Sequence, residues 1–351
     1  MKQDFQVNRR RVLKAGANSA LGVVLASTFG GFARAATRNL TIQTSGGAYE
    51  QAYRKAVFEP YAKANPDLAI QYTTPDDAAR IKAMVEAGNV TVDLSTTGDF
   101  FGLDADAKWL EPIDYSMIDK SMLTPGSAMK YRVGTDLENT IITYRSDKFA
   151  SAKMSTFADF FDLKKFPGKR AVWKFVSGGI LEAALIADGV DPKSLYPVDV
   201  ERALKKLDTI KSSLIWWDSG AQSQQLLTSG EATAGILWGS RAFPAMKNAP
   251  IAVSWTEWLS GGGWFVVPKG ARNKQEAFKA LAFFLSEGPQ RALTQYLPYG
   301  PTNIAAAKDP YPEYKGNLPS DHVATRVNIN YAWWVKNQAK IDERFQDWLL
   351  S

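Results

Sequence analysis

The stretch 216–241, WWDSGAQSQQLLTSGEATAGILWGSR, constrains this chain more than any other. Residues 214–217 have the composition of a strand, Ser219-Gly220 breaks it, and 222–229 reads as a short helix turning Leu226 and Leu227 inward. Gly230 stops the helix and 232–238 is a second apolar strand. Strand, helix and strand in so short a span make a βαβ unit. Its crossover renders the strands parallel, so the helix start and the end of the second strand emerge at one edge of a sheet. Ser219, Gly220 and Gln222 are therefore expected beside Trp238, Gly239, Ser240 and Arg241. A helix start offers unpaired N–H groups to a ligand's oxygens, Arg241 adds a fork of donors and Trp238 a flat apolar wall. Ser219 as a plain helix cap and Trp238 as a core residue are the alternatives the residues leave open.

A chain of 351 residues is long for one core and predicts two domains with a cleft between them. Its first 35 residues stand apart. Arg9-Arg10-Arg11 precedes a mildly apolar run from Ala15 to Phe32, and Ala33-Arg34-Ala35 follows. This resembles a twin-arginine secretion signal with an A-x-A cleavage site, which implies a mature protein starting near Ala36 and a periplasmic location. Six of the 42 basic residues and one of the 36 acidic ones fall in that segment, so the remainder is close to neutral. A nucleic-acid reading thereby loses its electrostatic basis. With no cysteine and one histidine, His322, the chain has no means for thiolate catalysis or a Cys/His metal site, and no metal, cofactor or catalytic residue is expected. His322 sits in a polar stretch read as the start of a C-terminal helix, where a surface or capping role is expected.

In order, strands at 40–43, 68–72 and 92–96 alternate with helices near 49–57 and 78–86, the pattern of an α/β sheet. The first strand leaves through Ser45-Gly46-Gly47 and the third through Thr97-Gly98-Asp99-Phe100. Asp99 suits either a ligand's cationic group or a helix cap. An apolar strand from Glu138 to Tyr144 is placed to cross into a second domain. There a strand at 171–173 exits through Lys174, Phe175, Val176 and Ser177 into a helix at 180–187. The helix 200–211 turns Val200, Ala203, Leu204, Leu207 and Ile210 to one face and is a packing element. Gly261-Gly262-Gly263 before the strand at 264–268, which begins with Trp264, reads as a hinge crossing back. Trp333, Trp334, Phe345 and Trp348 in a final helix at 328–350 read as docking contacts.

Together with GGAYEQAYRKAVFEPY, KRAVWKF, VVPKGARN and YLPYGPTN, the opening stretch resembles the spermidine/putrescine-type periplasmic solute-binding proteins of ABC importers over nearly all of the mature chain. That resemblance implies an α/β, two-lobed binding protein joined by crossing strands, with residues 36–140 and about 264–305 in one lobe and 141–263 and about 306–351 in the other. It implies a monomer that closes on a small solute and delivers it to a membrane permease. Polyamine binders of this type look to hold ligand amines with one carboxylate after the strand corresponding to 171–173 and another in the turn before the hinge strand. This chain has Lys174 and Gly263 there. A buried polyamine without counter-charges costs several kcal/mol per ion, more than its methylenes return at ~0.8 kcal/mol each. A carboxylate or amino-acid-like zwitterion is therefore expected at Ser219, Lys174 and Arg241, with polyamine binding the family-level alternative. A secreted hydrolase is remote, since no nucleophile is paired with a base.

Overall fold

The computed structural model describes residues 38–149 and 152–351. The Arg9-Arg10-Arg11 signal and the cleavage pattern at 33–35 lie outside the described residues. Ten strands form one mixed sheet. They are β1 (Arg38–Gln43), β2 (Leu68–Thr73), β3 (Leu94–Thr97), β4 (Val133–Arg145), β5 (Arg170–Trp173), β6 (Leu214–Trp217), β7 (Ala234–Trp238), β8 (Ile251–Val266), β9 (Gly300–Pro301) and β10 (Arg326–Asn328). The main path runs β2-β1-β3-β8-β4-β7-β5-β6, with β9 paired to β4 and β10 to β8. β1 to β3 are mutually parallel at one end and β5 to β7 at the other, while β4 and β8 run antiparallel between them.

Parallel strands with helical crossovers are covered on both faces and so read as continuous apolar runs. β5 and β7, with the antiparallel β4 beside them, show the two-sided cover. Ile142, Val172 and Ile236 enter a core with Phe157, Phe160, Leu181 and Leu204, while their neighbours Ile141, Ala171 and Leu237 enter another with Trp217, Leu226 and Leu227. A separate core at the far end gathers Tyr53, Phe58, Phe278 and Phe284. β4 and β8 thread both ends, since Val133 and Phe265 pack in that far core and Ile142 and Leu259 in the first one. The chain thus has the α/β, two-lobed architecture with crossing strands.

Several expectations need correction. The triple glycine is not a turn before a strand but the interior of β8, where Gly261, Gly262 and Gly263 pair with Glu138, Leu137 and Asp136. Glycine suits this place because neighbouring side chains fill the room a Cβ needs: at Gly263 it would lie 2.7 Å from Asp136 Oδ2 and Tyr49 Oη. β6 and β7 are parallel but not adjacent, since β5 lies between them and pairs with both. The helix expected at 222–229 spans Gly220–Thr228, because Ser219 Oγ accepts from Gln222 N and starts it earlier. His322 does not begin the last helix. It belongs to the 3₁₀ turn Pro319–Thr325, with its ring stacked on Trp255 at 4.2 Å, and the helix spans Tyr331–Leu350. That helix docks through buried Trp334, Phe345 and Trp348, as its tryptophans predicted.

Candidate functional site

The crossing ribbon of β4 and β8 is incompletely covered along its two outer edges. On the β4 side, β9 pairs with Asp136 and Leu137 and β7 takes over from Thr140, which leaves Glu138 and Asn139 between them. On the β8 side, β10 pairs as far as Ser260 and β3 starts at Trp264, which leaves Gly261, Gly262 and Gly263. The strand exits of the two lobes meet the ribbon at these two gaps.

At the glycine gap the chain supplies its own filler. Asp99, leaving β3, accepts from Gly262 N at 3.1 Å and from the Trp264 indole N–H at 2.9 Å. No helix starts there, so Asp99 is not a cap but a tie between β3 and β8. Burial raises its pKa, against which the Trp264 and Gly262 hydrogen bonds and the Arg132 charge act. Arg132 stacks on Trp264 at 3.8 Å and donates to the carbonyls of Asp99 and Phe101; burial pulls its own pKa down to about 10. Phe100 meets Tyr331 edge-on at 5.1 Å. Asp136 faces the same glycines and accepts from Tyr49, Tyr53, Thr135 and Gly263 N. A cavity of about 200 Å³ here and a larger one of about 1030 Å³ beyond Tyr331 and Arg326 open on this side. The acids at the smaller one, Asp99 and Asp136, already have donors.

The β4 gap is different. Glu138 has Asp136 as its side-chain hydrogen-bond neighbour, and burial together with the charges of Asp136 and Asp99 pushes its pKa well up. Tyr299, just before β9, hydrogen-bonds with Ser240 and lies within the electrostatic reach of Glu138, Asp136 and Arg241. Its hydroxyl is raised mainly by burial, then by the two acids, and lowered by the Ser240 hydrogen bond and Arg241. Arg241 lies on the helix Gly239–Met246 and packs over Gly220, where a Cβ would come within 2.5 Å of its Nε. Trp238, closing β7, meets Trp173 and Trp217, the last residues of β5 and β6, edge-on at 5.0 Å each.

The structure therefore brings Gly220, Trp238 and Arg241 together, as the βαβ argument required, with Ser219 and Gln222 on the neighbouring helix start. Gln222 is turned back to accept from Asp218 N. Asp99, Gly263 and Trp264 form a second group on the other edge of the ribbon. Lys174 is exposed at the end of β5, beside the exposed ring of Phe175. Ser45 and Gly47 are exposed, and Gly46 and Gly47 take φ of 80° and 60°, the left-handed region that glycine enters freely. The sequence reading missed Asp136, Glu138, Asn139, Tyr49 and Tyr299 as site residues. A period-two reading begun at Val133 instead of Glu138 brings out Asp136 and Glu138, two carboxylates two residues apart on one strand.

An acid pair, a guanidinium and aromatic walls around a gap between two lobes can hold a small polar molecule. They include no nucleophile paired with a base. Residues 56–319 match the family model described as bacterial extracellular solute-binding protein. The chain belongs to that family. This solute-binding protein is 30% identical to the gamma-aminobutyric acid-binding protein of Pseudomonas aeruginosa, over 91% of this chain and 93% of that one. A solved GABA receptor superposes with a TM-score of 0.81 at 37% identity, over 89% of this chain and 98% of that chain. A solved binding protein from A. tumefaciens in complex with agropinic acid gives 0.71 at 34%, over 90% and 99%. This solute-binding protein is the substrate-binding component of an ABC transporter. Members of the family bind a small solute outside the cytoplasm and pass it to a permease.

Proposed function

We propose that the solute is a small zwitterion with an amino group at one end and a carboxylate at the other, captured at the β4 gap as the lobes close. The observation that carries this reading is Tyr299, whose hydroxyl hydrogen-bonds with Ser240 and lies within the electrostatic reach of Glu138, Asp136 and Arg241 at once. Acids and a guanidinium that act on one hydroxyl suit a short molecule with opposite ends. A diamine placed there would set an ammonium against Arg241, and a plain carboxylate would leave Glu138 without a counter-charge. The names of the relatives above, a GABA-binding protein and a GABA receptor, agree in ligand class.

Gly263 itself has no acid, but Asp99, Asp136 and Glu138 converge on the glycines from other strands. Glu138, the one whose neighbour is another acid, is assigned to the amine, while Arg241 takes the carboxylate end. Lobe boundaries at 36–140 with 264–305, and 141–263 with 306–351, export by the twin-arginine route and a monomeric state complete the proposal. Lysine in place of Arg9 and Arg10 should hold the precursor in the cytoplasm, and undiminished export would remove the twin-arginine part.

Isothermal titration against ω-amino acids, simple carboxylates and putrescine tests the ligand class. The proposal expects amino acids to bind most tightly. Tight putrescine binding with no amino-acid binding overturns it and restores the polyamine alternative.

A further inference from the structure

We infer that the ligand's carboxylate sits at the start of the helix Gly239–Met246, against the side-chain amide of Asn139, and not at the start of the helix Gly220–Thr228. The inference rests on the zwitterion reading and specifies which residues make it selective.

The sequence pointed to the Gly220 helix start, but that one is already closed. Ser219 Oγ accepts from Gln222 N at 3.3 Å, and Gln222 Oε1 accepts from Asp218 N at 3.0 Å. The helix Gly239–Met246 follows β7 without a loop, and its N-cap residue is Trp238, which has no oxygen in its side chain and makes no cap. The first N–H groups of a helix have no partner within it, so here they are left to water or to a ligand.

Asn139 supplies the independent observation. It is only 3% exposed, and among the described residues neither its Oδ1 nor its Nδ2 has a hydrogen-bond partner. Its amide lies directly on the first residue of that helix: a Cβ on Gly239 would be 2.8 Å from Asn139 Cγ and Nδ2 and closer still to Oδ1. Buried amides are nearly always paired in folded proteins, so an unpaired one at a ligand gap marks a partner that arrives with the ligand. The chemistry of the surroundings says which kind. The indole N–H groups of Trp173 and Trp217, whose rings abut Trp238, are buried without acceptors as well. Among the described residues, Asn139 Nδ2 and these two indoles are three unpaired buried donors against one unpaired acceptor of the group, Asn139 Oδ1, a balance that favours a carboxylate. Asn139 and Glu138 are also the two residues of β4 that lie between the stretch paired with β9 and the stretch paired with β7.

The test is titration of the full exported protein with GABA, its three-carbon and five-carbon homologues, and putrescine. Asn139→Asp replaces a donor by a negative charge. It should weaken the best amino acid at least tenfold while leaving putrescine no weaker. Asn139→Ala should weaken the amino acid several-fold. Gly239→Ala should do the same by displacing the amide, and Asn139→Gly added to it should restore room without restoring affinity. Near-ultraviolet circular dichroism confirms that each variant is folded, and Asn139→Ala decides the matter if the aspartate variant is not. Amino-acid affinity within twofold of wild type in the Asn139 variants overturns this seat and leaves the zwitterion reading standing. A wild type that binds none of the amino acids overturns both.

Discussion

The indole N–H of Trp264 donates to Asp99 Oδ1 at 2.9 Å, joining residues 165 positions apart. With the Gly262 N–H on the other oxygen, this contact pins the exit of β3 to the crossing strand. Asp99→Ala leaves both donors buried without an acceptor. Hydrogen bonds to a charged group contribute about 1.5–3 kcal/mol each, so the loss of two should lower unfolding free energy by roughly 2–4 kcal/mol after relaxation. Urea denaturation measures it. A change below 0.5 kcal/mol (about the noise of surface substitutions) would mean that Asp99 serves the ligand and not the frame.

Glu138 gives a pH dependence of definite sign. Its carboxyl is held well above its unfolded value, ordinarily near ~4.3. The folded state therefore keeps the proton where the unfolded chain has lost it. The stability this contributes is complete below the unfolded value and disappears as pH rises through the folded one. Without ligand, Glu138→Gln should accordingly melt higher than wild type at neutral pH, a gap that closes on acidification. A lower melting temperature would contradict the assignment.

Ligand affinity moves the other way. An ammonium group prefers the ionised carboxylate, so amino-acid binding should weaken as pH falls through the raised pKa of Glu138. Glu138→Gln should lose roughly 1.5–3 kcal/mol of affinity, the contribution of a charged hydrogen bond, and flatten the profile. Titration at a series of pH values decides this, and an unchanged profile in the variant would assign the amine to another group.

At the carboxylate end, Arg241→Lys keeps the charge but loses the planar fork. It should recover less than half of the binding free energy lost in Arg241→Ala. Gly220→Ala reaches the same guanidinium indirectly, since its methyl would enter the space of Arg241 Nε. It should weaken binding without removing any polar group. Wild-type affinity in Gly220→Ala would show that the present Arg241 rotamer is not the one that binds.

Closure is tested by scattering. β4 and β8 are the strands that thread both cores, and a ligand touching both lobes favours the closed arrangement through its differential affinity. The radius of gyration should fall when the site is saturated with the best ligand. An identical profile would remove lobe movement from the mechanism.

The βαβ unit was legible because apolar periodicity and a Ser-Gly break are local. Gly220 and Arg241 met as that logic required. The helix Ala78–Glu86 and the helix Ile180–Ala187 fell where their patterns placed them, each bounded by glycine or a cap. What remained hidden was non-local. Gly261-Gly262-Gly263 looks like a turn in isolation and becomes strand only because Asp136, Leu137 and Glu138 lie opposite. The choice between the two helix starts was equally out of reach. Ser219 advertises a helix start by capping it, while the start at Gly239 has nothing in its own sequence to mark it and depends on Asn139, a hundred residues earlier.

The meeting of Trp173, Trp217 and Trp238 at the ends of three parallel strands gives the molecule an optical property of its own. Trp173 and Trp217 lie nearly parallel with ring centres 5.8 Å apart, and Trp238 stands across both. Indoles so close share their excited states, so this cluster, which borders the Gly239 helix start, contributes to the near-ultraviolet dichroism alongside the Trp255–Trp258 and Trp333–Trp334 pairs. A charged group arriving there shifts that shared transition. Occupancy of the site can then be read from the intrinsic spectrum, without a label and in the same cuvette that reports folding.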